Sequence, residues 1–328
     1  MINYIPMNKN ISLYIRVFIS LALIIILLYI MRGKYDQILC ALRRTNLSWL
    51  SLAILVYSAA IMLASGRLQL IAKVQSIRMT YPEAVSLNYI GYFFNNFLPT
   101  SIGGDVAKAY HLSKRSSEKT GPYTSIFIDR AVGLVTMIFM AFAALLFTDR
   151  GAIDMPVKIT ICSITACSVI AMLFLMMEPV AVKFAPLLSL VKPVDKHLKK
   201  IYRAINSYRH HPVLMLETFA ISILSQLLFF ISMGILAVGI GSRISIMDLL
   251  LRMPMVSILS LLPSINGLGL REGATVLLFG PIMGKANAFA ISILMIVMLL
   301  VTSLAGGLIY ALSPQFRVRL KDMEGYDR

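Results

Sequence analysis

The sequence predicts an all-α polytopic membrane protein, with about six full spans plus two re-entrant helical hairpins in an inverted repeat. Three observations carry that prediction. Of 328 residues, 58% are hydrophobic and 14% charged, whereas about a quarter of a soluble domain is charged; the mean hydropathy is +0.80. The apolar residues gather into runs close to the roughly 20 that a bilayer-crossing helix needs. Two of those runs are interrupted by proline and clustered glycine. The 328 residues read as a single membrane domain.

Six runs read as ordinary spans, at about 12–31, 48–70, 124–147, 157–177, 214–240 and 286–312. No small-residue cleavage site follows the first, so it reads as a retained span and not a signal peptide. The runs 84–104 and 253–270 differ. The first contains Phe97-Leu98-Pro99-Thr100-Ser101-Ile102-Gly103-Gly104-Asp105, the second Leu262-Pro263-Ser264-Ile265-Asn266-Gly267-Leu268-Gly269-Leu270-Arg271-Glu272. Proline removes a helix hydrogen bond and glycine adds no propensity to compensate. Broken backbone at membrane depth persists only inside protein or beside a wet cavity. Each run therefore reads as a half-helix in, a turn, and a half-helix out.

Loop charge sets the orientation. The connections 178–213 and 105–121 and the tail after 316 are basic and belong in the cytoplasm, with the C-terminus. The balanced 149–158 loop fits outside. The same scheme puts 32–47 outside despite Arg32, Lys34, Arg43 and Arg44. Within 178–213 apolar and basic residues alternate, as in an amphipathic helix lying on the inner leaflet. The net charge of +16 would suggest a nucleic-acid partner in a soluble chain; here the hydropathy excludes one and assigns the charge to anionic lipid.

The two broken runs align without gaps. Pro99 pairs with Pro263, Thr100 with Ser264 and Gly103 with Gly267, and Glu83 and Asp248 precede them at similar distances. Span, re-entrant segment and span thus occur twice with opposite orientation, at about 48–147 and 214–312. Such inverted repeats place a transporter's site near the midplane.

The glycines open half-helices whose free N–H groups and dipole attract anions. Gly103, Gly104 and Asp105 start one, with Lys108 a turn later. Gly267 and Gly269 precede the other, with Arg271, a bidentate phosphate ligand, and Glu272. Two readings are open: a pair of headgroup cradles, or glycines that permit tight packing beside locally balanced charges. Asp129 and Arg130 open an apolar span and face a cavity, a partner or the interface. Being adjacent on a helix, they pair elsewhere and not with each other; Lys108 and Arg271 are candidate partners of Asp129. Asn88, Asn95 and Asn96 either satisfy backbone freed near Pro99 or line a polar path. Glu217 and Gln226 read as helix–helix contacts or a polar track. Arg67 reads as snorkelling, and Arg252, before Pro254, as anchored or in reach of a headgroup.

Three Cys in no metal or redox spacing, and four His, indicate no metal site. No phosphate-binding loop, zinc-protease motif or serine nucleophile elbow occurs. The expectation is no cofactor and no catalytic residue, with movement that is downhill or driven by protons or the membrane potential.

The run Asn95-Asn96-Phe97-Leu98-Pro99-Thr100-Ser101-Ile102-Gly103-Gly104-Asp105-Val106, then Asp129-Arg130-Ala131-Val132-Gly133, then Leu262-Pro263 to Gly273, resembles the lysylphosphatidylglycerol synthase transmembrane family. These flippase-like proteins include the membrane half of a bifunctional synthase/flippase. The likeness runs from about 15 to 312 and takes in no aminoacyl-transferring domain. It implies a bacterial-type inner-membrane protein that moves phospholipids or polyprenyl-linked lipids between leaflets. The competing expectations are a non-transporting partner of a separate lipid-modifying enzyme, and a polyprenyl-diphosphate phosphatase. The phosphatase fits less well, since neither turn sets a Ser beside an Arg.

Overall fold

Helices form every extended element of the computed structural model among the described residues, which are 21, 25–97, 103–114, 116, 120–148, 155–176, 206–262, 264 and 266–316. A helical segment at 25–31 is followed by α1 (Tyr35–Arg43), α2 (Leu47–Val74), α3 (Tyr81–Phe97), α4 (Gly103–Ser113), α5 (Thr120–Phe147) and α6 (Met155–Met176). After a 3-10 turn at Ser207–His210 come α7 (Pro212–Gly239), α8 (Ile246–Leu259), α9 (Leu270–Met283) and α10 (Lys285–Leu312). Pro99, Pro263 and most of 178–213 lie outside the described residues.

Helix ends follow local chemistry. Asn46 caps α2 by accepting from the Ser48 N–H at 2.9 Å, and Ser245 caps α8 through Asp248 N–H at 3.0 Å. Pro212 opens α7 where its missing N–H costs nothing. α7 closes in a Schellman turn: Gly241 (φ +80°) donates to Val238 and Ser242 to Ala237. α2 closes the same way, with Ser76 at φ +59° donating to Lys73 and Ile77 to Ala72.

Length separates two kinds of helix. α2, α5, α7 and α10 each have 28 residues and are apolar enough to cross a membrane, roughly 42 Å at 1.5 Å per residue. α3 (17 residues), α4 (11), α8 (14) and α9 (14) are each too short for a hydrocarbon core of about 30 Å with a normal margin. The protein is a multi-pass helical membrane protein. Four of the six expected full spans are these long helices; the 157–177 span is α6, of 22 residues. Residues 32–47, expected as a loop, contain α1, whose Ile38 and Ala41 are buried and which packs on α10.

The order long–short–short–long occurs twice. α2 and α7, and likewise α5 and α10, begin and end 165 residues apart; α3 and α8 begin at the same offset. Packing follows the exchange. α2 lies along α7, α3 packs on α10, and α8 packs on α5. The Ser225 hydroxyl of α7 donates to the Ala60 carbonyl of α2 at 2.9 Å, joining residues 165 apart. The main core fills this junction, with Phe230, Met233, Met253 and Met298 almost wholly enclosed.

Candidate functional site

The site begins where α3 and α4 touch. A Cβ on Gly104 would lie 1.9 Å from the Gly91 carbonyl oxygen, so only glycine lets the two backbones meet. The contact lets the Asn95 side chain accept from the Gly104 N–H at 2.8 Å, capping the start of α4. One turn on, Lys108 lies across Gly91, and its ammonium donates to Asn88 Oδ1 at 2.9 Å. Asn88 Nδ2 donates in turn to Ser65 Oγ on α2 at 2.9 Å. Lys108 is 5% exposed and sits 3.6 Å from Asp105 Oδ1.

Asp129 and Arg130 point to different partners, as neighbours on a helix must. Arg130 holds Asp105 with a two-pronged fork, Nε to Oδ2 and Nη2 to Oδ1, both 2.9 Å. Asp129 accepts from Arg67 Nε at 2.8 Å, and Arg67 Nη1 reaches Ser222 Oγ on α7 at 2.8 Å. Gly133 leaves the room that the Arg67 guanidinium needs; a Cβ there would lie 3.1 Å from Nη1. Arg67 is 7% and Asp129 4% exposed, whereas the Arg130 side chain is 46% exposed.

A half-open cavity of about 250 Å³ lies beside these groups, between α2, α3, α5, α7 and the end of α8. Tyr57, Arg67, Tyr92, Asp129, Arg130 and Gln226 supply its polar wall; Ile61, Leu134, Met137 and Phe229 are among its apolar lining. Below Arg67 the α2–α5 seam is closed by regular rungs. Tyr208, from the 3-10 turn, donates to the Ile71 carbonyl and bonds with Ser125 Oγ, each at 3.2 Å. Gln75 donates to Ser207 Oγ at 2.9 Å and packs against Gly121. Residues 67, 71 and 75 of α2 thus meet 129, 125 and 121 of α5, one helical turn apart. Burial pushes the Tyr208 hydroxyl up to about 12, so it stays neutral at ordinary pH.

The second glycine cluster is built differently. Asn266 (φ +48°), Gly267 (+76°) and Gly269 (+82°) have left-handed backbone before α9, where glycine carries no steric penalty. The Glu272 carboxylate turns back to accept from the Gly269 N–H, filling the capping role that Asn95 fills at α4. Its other oxygen accepts from Arg271 at 3.1 and 3.2 Å. Arg252 is tied to the Leu278 carbonyl at 2.8 Å and to Asp248 at 3.4 Å. Asn266 donates to Asn96 Oδ1, joining this cluster to the end of α3.

The family model described as lysylphosphatidylglycerol synthase TM region matches residues 15–307. The chain belongs to this family. A curated relative, the UPF0104 membrane protein PH1989 of Pyrococcus horikoshii, is 23% identical over 195 residues, covering 58% of this chain and 56% of that protein. The chain therefore matches little more than half the length of that relative. No solved structure matches.

Within this lysylphosphatidylglycerol synthase TM region, the predicted residues fall into two groups. Asp105, Lys108 and Arg130 bond to one another at the start of α4, which opens at Gly103 and where Asn95 caps Gly104, and Asp129 lies beside them on Arg67. Gly267, Gly269, Arg271 and Glu272 form the other group, and Lys108 and Arg271 share no partner. Neither Lys108 nor Arg271 lines the cavity. Asp129 pairs with Arg67, not with Lys108 or Arg271. Arg67 does not snorkel; its carboxylate partner and Ser222 hold it inside. Glu217 is exposed rather than glue between helices, and Gln226 faces the cavity. Sequence reasoning misplaced Arg67 at the interface and passed over Tyr57, Tyr92 and Ser222. One signal was available: Arg67 is an ionisable residue inside an apolar run, the same rule that singled out Asp129.

Proposed function

We propose that the protein is a lipid flippase that moves an anionic, phosphate-bearing lipid, phospholipid or polyprenyl-linked, between the leaflets of a bacterial-type cytoplasmic membrane. The observation that carries this reading is the half-open cavity among membrane-length helices, with the half-exposed Arg130 side chain in its wall. A charged head crossing hydrocarbon meets a barrier of several kcal/mol or more. A groove with arginine, tyrosine and glutamine on one wall and apolar side chains on the other lowers that barrier while the acyl chains stay in the bilayer.

In this reading 47–147 and 212–312 are an inverted repeat. The pairs α3–α4 and α8–α9 are re-entrant, entering from the cytoplasm and from outside. The recurring 165-residue offset, the paired short helices and the basic loops support it. The C-terminus and the 178–213 connection are cytoplasmic, and one unit rocks against the other. Arg130 replaces Lys108 and Arg271 as the residue that meets the phosphate, because those two are buried against their own partners.

The test is movement of a fluorescent phosphatidylglycerol analogue across proteoliposome membranes, read by quenching of the outer leaflet. Wild type makes the whole pool accessible. A chain that only anchors a separate lipid-modifying enzyme leaves half of it protected, and that result overturns the proposal.

A further inference from the structure

We infer that the cavity selects a head carrying one negative charge, a phosphodiester, and that Asp105 occupies the phosphate's place on Arg130 while the cavity is empty. The inference rests on the reading that the cavity receives a lipid head, and it adds the charge of that head and the residue that sets it.

Among the described residues, the ion pairs at and next to the cavity wall hold three cations, Arg67, Lys108 and Arg130, and two carboxylates, Asp105 and Asp129. The excess is therefore one positive charge. Arg271 and Arg252 do not alter it, because each has its own carboxylate, Glu272 and Asp248. Buried charges are stable when matched and costly when not.

The geometry assigns the excess to one residue. Arg67 is committed to Asp129 and Ser222 and wedged against Gly133. Lys108 is enclosed, bonded to Asn88 and away from the cavity wall. Arg130 alone of the three combines a place in that wall with an exposed side chain. Its fork is filled by Asp105 in the bidentate geometry that a phosphate also adopts. Its third nitrogen, Nη1, has no hydrogen-bond partner among the described residues.

Asp105 has a second cation within reach, the Lys108 ammonium at 3.6 Å. A phosphodiester that takes the Arg130 fork leaves Asp105 to Lys108. Three matched pairs result: Arg67 with Asp129, Lys108 with Asp105, and Arg130 with the ligand. A head with two charges leaves one negative charge unmatched in the half-open cavity. Removing the Asp105 charge raises the excess to two and shifts the preference to the doubly charged head.

The experiment is equilibrium binding to the full chain in a neutral detergent at pH 8, by calorimetry. Two soluble lipids serve as probes, dihexanoyl phosphatidylmethanol and dihexanoyl phosphatidic acid. They differ by one methyl group and, since a phosphomonoester's second pKa is about 6, by roughly one charge at this pH. Wild type is expected to bind the phosphatidylmethanol about tenfold more tightly, the scale of one unmatched charge in a partly buried site. Asp105→Asn is expected to lose or reverse that order. Equal or tighter binding of phosphatidic acid by wild type overturns the inference, whether or not Asp105→Asn folds. An order unchanged in a folded Asp105→Asn also overturns it, as does binding of neither probe. Charge preference in a protein that moves no lipid in proteoliposomes removes the transport reading and leaves this one standing; transport without charge preference does the reverse.

Discussion

The units 47–147 and 212–312 share a frame and differ in what they bury. Their long helices coincide at an offset of 165 residues, and both first helices end in the same turn. At that offset Gly104 falls on Gly269, the glycine that opens each second short helix or lies just before it. Arg67, Asp129 and Arg130, however, fall on Ser232, Leu294 and Met295. Lys108 falls on Gly273, and Asn88 on Met253. The first unit thus holds a polar network that ties α2, α3, α4, α5 and α7 together. The second keeps its charges local: Arg271 binds the neighbouring Glu272, and Arg252 binds Asp248 four residues earlier. Duplicated packing needs only apolar surface of the right shape. A binding wall needs charge on one side of the junction, and the lesson is that the helix order recurs while the chemistry does not.

That contrast can be broken most forcefully by making the first unit resemble the second. Asp129→Leu installs the residue of its counterpart and strands the buried Arg67 charge. It should cost about 3–5 kcal/mol, read as a lowered thermal midpoint in detergent; a change under 1 kcal/mol would mean that Arg67 has another anion. The next effect separates the two glycine clusters. Gly104→Ala forces a methyl into the Gly91 carbonyl and should cost about 1–3 kcal/mol. Gly273→Ala, with no atom within 4 Å of its added Cβ, should be neutral or stabilise by up to about 1 kcal/mol. Equal effects at both positions would remove the claimed close approach of α3 and α4.

Arg130→Ala sharpens the comparison on the functional side. Lipid movement should fall by about tenfold or more, the scale of one charge-assisted contact, with a smaller shift in thermal midpoint than Asp129→Leu gives. Arg271→Gln should leave the lipid-movement rate within about twofold, because Arg271 lies outside the cavity wall and is matched by Glu272. The smallest effect is expected at the closed end of the seam. Tyr208→Phe keeps the ring and loses the hydroxyl bonds to Ser125 and Ile71, for about 0.5–1.5 kcal/mol. Labelling of a single cysteine placed at Ala64 should then become faster from the Tyr208 side; unchanged labelling would show that this rung does not close the seam.

Amino-acid order alone was enough to specify the membrane class, the long helices, the two interrupted runs and a start for α4 at Gly103. Each of these depends on hydropathy over a few turns, or on one residue's backbone preference, and such information is local. The placement of Asp129 and Arg130 on different partners was also legible, since adjacent helical residues diverge by about 100°. The partners themselves were not. Arg67 lies 62 residues from Asp129, and its long side chain permits either snorkelling or an inward pair. Only the antiparallel register of α2 on α5, with Gly133 opposite and Ser222 supplied by α7, selects the pair. Lys108 and Arg271 looked alike as cations following a glycine cluster, yet Lys108 is held by the Asn88 amide of a neighbouring helix, with Asp105 shared with Arg130, while Arg271 is matched by the adjacent Glu272. Which charge stays available to a ligand is a property of how helices distant in the chain meet, because in a low-dielectric interior each ion's availability depends on every partner within a few ångströms.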